Sequence, residues 1–407
     1  MTLSPPTIPA IADALLDPAA HASTLSAVRS TLERGDREAA VLWRALDRSG
    51  LLPLAAHRMV GVGADRSSRL HDALQSAVDV NRLRNAVLRK SAIEATRALT
   101  RAGIRTMWLK GIWLAHAMYE HPGLRMMSDI DLLVPEGSRR EAAAALRTLG
   151  YEPAAGARDG DGAPEGSGSE TLSRRTAVPG GDAVTIDLHD RLQVHRAQAW
   201  SSTTLWDSAR VMRAGGVEVL VPSAEAGLVY LAVHLMKHGY DLRHAAVATC
   251  DAYHVLRAAG EALDRSWLGR QAAAPGHAVA LHLLLARIRR PPSAAAADLK
   301  RLVSERVDAQ GLRRQADALL RQAEALELSA TDDFSLFELG DRLASGSAGR
   351  LLLDGVTRWR RRTGGHARQP GSPGLLTRLW RANWRYAYVT FLAGRLHARA
   401  GEAATPS

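Results

Sequence analysis

The chain has 407 residues and a formal net charge of +11 at pH 7. Its length exceeds what one compact core usually holds, so two or three lobes are expected, and 46% hydrophobic with 23% charged residues is the composition of a soluble globular protein. The single cysteine, Cys250, excludes a disulfide framework or a cysteine zinc site within one chain.

The longest late apolar run, 386–394, is too short to span a bilayer. The first residues, Met1 to Pro6, lack the basic and apolar regions of a signal peptide. A cytoplasmic enzyme without a transmembrane segment is therefore the expectation. The positive excess is uneven: Arg358 to Arg399 contains ten Arg and no Asp or Glu. Such a segment either attracts an anionic partner (phosphate, nucleic acid or an acidic membrane surface) or is a solvated helix face.

Residues 1–100 read as an N-terminal helical region. Between Leu70 and Leu99, Leu74, Val78, Leu83, Val87, Leu88, Ile93 and Leu99 recur at helical spacing without Pro or Gly, and Gly103 marks the stop. The pattern then changes. Ile104 to Leu109 is an apolar run of strand length, Lys110-Gly111 opens a short helix, and Asp129 to Val134 alternates as a strand. Ser138 with Glu141 has the form of a capping box, ahead of an Ala/Leu-rich helix that stops at Gly150. Residues 154–182, rich in Gly, Ser, Asp and Pro, are expected to be a flexible insertion. Ala183 to Arg191 is a further strand. Residues 101–221 thus form a core in which strands and helices alternate.

Residues 222–362 read as a helical domain, with helices expected at 224–237, 248–259, 277–288 and 313–326. Residues 363–407 read as a linker and a basic, aromatic helix, in which Arg378, Trp380, Arg381, Trp384, Arg385, Tyr386 and Tyr388 interleave.

The chemistry concentrates in 101–221. Asp129 and Asp131, at i and i+2 on a strand, project from one face about 7 Å apart. Such a pair is tolerated when a cation neutralises it, and carboxylate oxygen suits Mg²⁺ or Mn²⁺. Asp187, on the next predicted strand, is placed to supply a third carboxylate, and His189 shares its face. Lys110 and Gly111, at a strand-to-helix turn, suit a nucleotide phosphate; a solvent-facing turn is the alternative. His234 and His238 lie i, i+4 on one predicted helix face, with Lys237 between them and Asp251 downstream. They are expected either to line the cleft or to link helices. No phosphate-binding P-loop or Rossmann fingerprint is present.

Taken in order, Leu109-Lys110-Gly111, Arg125, Asp129-Ile-Asp131-Leu-Leu-Val134, Leu149-Gly150-Tyr151 and Ile186-Asp187-Leu188-His189 resemble the bacterial uncharacterised nucleotidyltransferase family, within the DNA polymerase β-like nucleotidyltransferase superfamily. The likeness extends over about 85–256, including His234-Leu-Met-Lys237-His238-Gly239 and Asp251. It implies an α+β fold, with a mixed sheet and flanking helices followed by a helical domain. It also implies Asp129, Asp131 and Asp187 as catalytic metal ligands, with Lys110, Gly111 and Ser128 near the nucleotide; Arg125 either holds a phosphate or caps the preceding loop, and His189 either lines the cleft or makes a structural hydrogen bond. Lys110-Gly111 stands where the superfamily usually has Gly-Ser. The expected activity is Mg²⁺- or Mn²⁺-dependent transfer from an NTP, ATP foremost, to a hydroxyl or phosphate acceptor. A glycosyltransferase holding a nucleotide-sugar through Asp-x-Asp, or a non-catalytic nucleotide- or nucleic-acid-binding module of the same fold, are the competing readings.

Overall fold

The computed structural model describes residues 7–61, 68–154, 169–179, 181–195, 198–200, 202–237, 242–273 and 276–330. The expected linker and basic aromatic helix lie outside these residues. Four helices open the chain: α1 (Ile8–Leu16), α2 (Ala22–Glu33), α3 (Arg37–Arg48) and α4 (Leu52–Gly61). The long α5 (Arg69–Arg101) follows. Ser68 caps it by accepting from the His71 amide, and Leu74, Val78, Leu88, Ala92, Ala95 and Leu99 form its buried stripe. It ends where Gly103 takes φ 74°, as the sequence predicts.

The central part runs β1 (Met107–Leu109), α6 (Lys110–Ala117), a 3-10 turn at Pro122–Leu124, β2 (Ile130–Leu133), α7 (Arg139–Arg147), β3 (Glu152–Pro153), β4 (Ser169–Val178), β5 (Gly181–His189), β6 (Leu192–His195), β7 (Gln198–Trp200), α8 (Ser202–Asp207), β8 (Arg210–Ala214) and β9 (Val217–Val221). The remaining helices are α9 (Ala224–Lys237), α10 (Leu242–Ala259), α11 (Arg265–Gln271), α12 (His277–Ala286), α13 (Ala294–Ala309) and α14 (Arg313–Ala330). Among the described residues, no helix is long and apolar enough to cross a membrane.

Seven strands form one mixed sheet in the order β3-β4-β5-β2-β1-β9-β8, so the fold is α+β as expected. β2 is the middle strand, parallel to β5 and antiparallel to β1, and all four of its residues are buried. Helix α5 covers one face, where the Trp108 indole donates to Thr96 Oγ1 at 2.9 Å. The main core runs from Leu88 of α5 through the sheet to Leu319 of α14, while a second core joins α1–α4 to Tyr119, Leu124, Ala246 and Cys250.

Two local readings change, and one element is added. Ser169–Val178, assigned by its polar composition to the insertion, is β4, paired antiparallel with β5; only Leu172 and Val178 are buried along it, so its apolar signal is thin. Residues 155–168 of that insertion lie outside the described residues. Ser138 does precede α7, but its side chain makes no capping bond. The turn is held instead by Asp190, which accepts from the Gly137 amide and from Arg139. Finally, β8 and β9 form a hairpin about Gly215-Gly216, both at positive φ.

Candidate active site

The pairing register builds the site. Leu109 of β1, Asp131 of β2, Asp187 of β5 and Thr171 of β4 are successive cross-strand partners, so they share one face of the sheet in a single row. His189, two residues beyond Asp187, lies on that face too. This is the face opposite α5, since Trp108, one residue before Leu109, points to the helix. The sheet therefore presents two carboxylates on adjacent parallel strands, a spacing of about 4.8 Å between backbones.

Asp131 is 3% exposed and accepts from two groups on the same oxygen, Oδ1: Lys110 Nζ at 2.6 Å, with His189 Nε2 at 3.1 Å. Asp187 is half-buried and accepts from the Thr171 hydroxyl at 2.8 Å. Asp129 lies in the bend just before β2, half-buried, and bonds Ser128, which is exposed. Burial opposes the charge on Asp131, but Lys110 and His189 overcome it and hold the carboxyl well below its usual range. Asp129 goes the other way: burial, and then the neighbouring Asp131 charge, push it up to about 6. Three acids share one cleft, with Lys110 as the ammonium against them, and Asp129 shows the surplus of negative charge.

Lys110 itself is set at the β1–α6 junction with φ 47°, the one non-glycine residue at positive φ among those described. Burial favours the neutral amine, but the Asp131 carboxylate beside it more than compensates, so the ammonium stays charged. Tyr230, on α9, accepts a hydrogen bond from it and remains a neutral phenol because burial raises its pKa. On the same helix, one turn before Tyr230, Gly227 leaves room for the Trp113 ring of α6, which an added Cβ would strike. Neither Tyr230 nor Thr171 was singled out from the sequence.

The other expected residues fall into two groups. Arg125 is not at the sheet row but beside Gly111, where an added Cβ would stand 2.5 Å from its Nη1. Its Nε and Nη2 donate to both carboxylate oxygens of Asp251 (2.9 and 2.8 Å), and Nη1 donates to the Met126 carbonyl at 3.1 Å. The Tyr119 hydroxyl donates to Asp251 as well, at 2.8 Å. From α5, Asn81 donates to the Gly123 carbonyl at 2.7 Å, and Asn85 to the Arg125 carbonyl at 2.8 Å. The segment that delivers Ser128 and Asp129 is thus tied at its backbone by α5 and at its side chain by α10. His234 lies one turn beyond Tyr230 on α9, its ring 5.8 Å from that of His244. Lys237 closes α9, and His238 lies outside the described residues.

One neighbour of this network gives a pH prediction. His254 is 2% exposed, lies with its ring tilted against that of Tyr119 at 4.2 Å and has no hydrogen-bond partner on either ring nitrogen among the described residues. Burial, then Arg257, push it down to about 4. With an unfolded value near 6.5, the folded state refuses a proton that the unfolded chain accepts. The contribution of His254 to stability is therefore unchanged above about pH 6.5 and falls by about 3 kcal/mol as the pH drops to 4, alongside that of His116, which burial also pushes down to about 4. His254→Phe should make this part of a melting-temperature profile shallower, leaving the share that belongs to His116; an unchanged slope would refute the assignment.

The donor set fits a divalent cation. Asp131, Asp187 and His189 each offer a ligand atom, all within 4.8 Å of one another, and Asp129 stands at the edge with a carboxyl strained by like charge. A mixed sheet with paired acids on adjacent parallel strands and a lysine bonded to one of them from the neighbouring strand end defines a candidate cation-dependent transferase centre. The comparison with protein families agrees: residues 35–291 match the family described as uncharacterised nucleotidyltransferase, and the chain belongs to it. No curated protein and no solved structure matches the chain.

Proposed function

We propose that this protein transfers a nucleotidyl group from an NTP, ATP foremost, to a hydroxyl or phosphate acceptor on a small molecule, peptide or protein, with Mg²⁺ or Mn²⁺. The registered pair Asp131 and Asp187 carries this reading, because with Asp129 it gathers three acids against one bonded lysine, a surplus of negative charge that a divalent cation would neutralise. Asp129, Asp131 and Asp187 would hold the metal, with His189 either joining them or fixing Asp131. When bound, the metal would polarise the α-phosphate and neutralise its developing charge.

The chain's own groups supply the rest. Thr171 fixes Asp187 through Oδ1, so this carboxylate is set to orient the acceptor and take its proton. The acceptor oxygen bonds to the α-phosphorus as the bond to the bridging oxygen breaks, and pyrophosphate leaves. Lys110 and Ser128 stand beside the acids to meet the phosphates. Arg125 spends its guanidinium on Asp251 and Met126, which supports a positioning role.

The test is pyrophosphate release from each of the four NTPs with Mg²⁺ or Mn²⁺ and pooled small-molecule and protein acceptors, with nucleotide-sugars assayed in parallel. Release that a chelator abolishes, and that Asp129→Ala and Asp131→Ala lose, is expected. Equal turnover by those variants would sink the proposal, and consumption of a nucleotide-sugar instead would move the protein to the glycosyltransferase reading.

A further inference from the structure

Lys110 occupies the place where a cation is needed. Its ammonium is 2.6 Å from Asp131 Oδ1, and its side chain is 16% exposed. Its backbone sits in the left-handed region that non-glycine side chains avoid, a conformation that persists only where the surroundings enforce it. Tyr230 holds the same ammonium from α9. The lysine is thus locked onto one carboxylate of the acidic row from two sides. His189 Nε2 contacts that same oxygen, which leaves Oδ1 saturated with donors.

A divalent ion ligated through Asp131 would share its carboxylate with an ammonium, and at such separations two cations repel strongly in a buried site. A nucleoside triphosphate changes this balance. It brings several negative charges, offers Lys110 another partner, and offsets the repulsion between the ammonium and the ion.

Resting on the metal-dependent nucleotidyl-transfer reading, we propose that Lys110 is a resident counter-cation of the acidic row. It keeps free metal weakly bound and couples metal binding to nucleotide binding. By linkage, each ligand then tightens the other by the same factor. The residue accordingly opposes the metal in the free protein and assists the substrate in the complex.

Binding of Mn²⁺ to the full chain, followed by electron paramagnetic resonance with and without the α,β-methylene analogue of ATP, tests this directly. For the wild type, the analogue should tighten Mn²⁺ at least about tenfold. Lys110→Gly, which relieves the backbone strain at φ 47° and removes the ammonium, should bind Mn²⁺ without the analogue at least about tenfold tighter than wild type. The analogue should then add less than about threefold. Lys110→Arg, which keeps the charge, should behave as wild type.

If Lys110→Gly binds free Mn²⁺ no more tightly than wild type, the counter-cation proposal is overturned while the metal site stands. If no form binds Mn²⁺ even with the analogue, the metal-dependent reading fails and takes this proposal with it.

Discussion

Asp131→Asn and Asp187→Asn should each lower nucleotidyl transfer by about a thousandfold or more, equivalent to about 4 kcal/mol of transition-state stabilisation, yet only Asp131→Asn should lower the melting temperature. The two carboxylates occupy the same row and are registered partners. Their surroundings differ. Asp131 is buried and answers a buried ammonium, so its loss leaves Lys110 without its counter-ion. Breaking a buried pair by removing one partner typically costs about 3–5 kcal/mol. Asp187 accepts from the Thr171 hydroxyl, a bond that an asparagine oxygen can keep. Its negative charge meanwhile repels Asp129. Removing that charge should leave stability unchanged or slightly raised, the pattern expected where function holds like charges together against folding. Thermal unfolding and pyrophosphate release on the same preparations separate the two effects. If both variants melted like wild type, the Lys110–Asp131 pair would carry no stability; if both kept turnover, neither acid would belong to the reaction.

The contrast between those two aspartates also marks what the sequence could reveal. Asp131 and Asp187 are legible because each interrupts an apolar strand, and Asp129 because it directly precedes one; a central strand does not freely carry an acid. Helices α5 and α9 are legible by their buried periodicity, and β2 by its uninterrupted burial. β4 is not, because it is an outer neighbour of β5 and most of its side chains stay half-exposed. Thr171 was hidden with it. Tyr230 reads as one more apolar residue of α9, and only the placement of that helix beside the β1–α6 junction brings its hydroxyl to Lys110. Asn81 and Asn85 look like polar positions on a long helix, yet they are 5% and 0% exposed and hold loop carbonyls some forty residues away. Contacts of that kind follow from tertiary placement, which hydrophobic periodicity does not encode.

Arg125 and Asp251 join sequence and site most closely. Both were candidates for contact with the nucleotide or cleft, and the structure pairs them with each other across α10 and the segment before β2. Asp251 is 1% exposed and accepts three hydrogen bonds from Arg125 and one from Tyr119. Asp251→Asn should therefore destabilise the protein by about 3–5 kcal/mol, chiefly by leaving the guanidinium buried and uncompensated. The double variant Arg125→Met with Asp251→Leu removes both charges and should recover most of that stability, because the desolvation cost disappears with the pair. Its activity is the informative quantity. Arg125 packs on Gly111 and bonds the Met126 carbonyl, three residues ahead of Asp129. If the pair positions Asp129, the double variant folds stably but transfers nucleotidyl groups at least about tenfold more slowly, with its requirement for Mn²⁺ shifted to higher concentration. A stable double variant with wild-type turnover and metal requirement would reduce the pair to a structural strut. Its Asn81 and Asn85 neighbours would then be enough to hold the approach to Asp129.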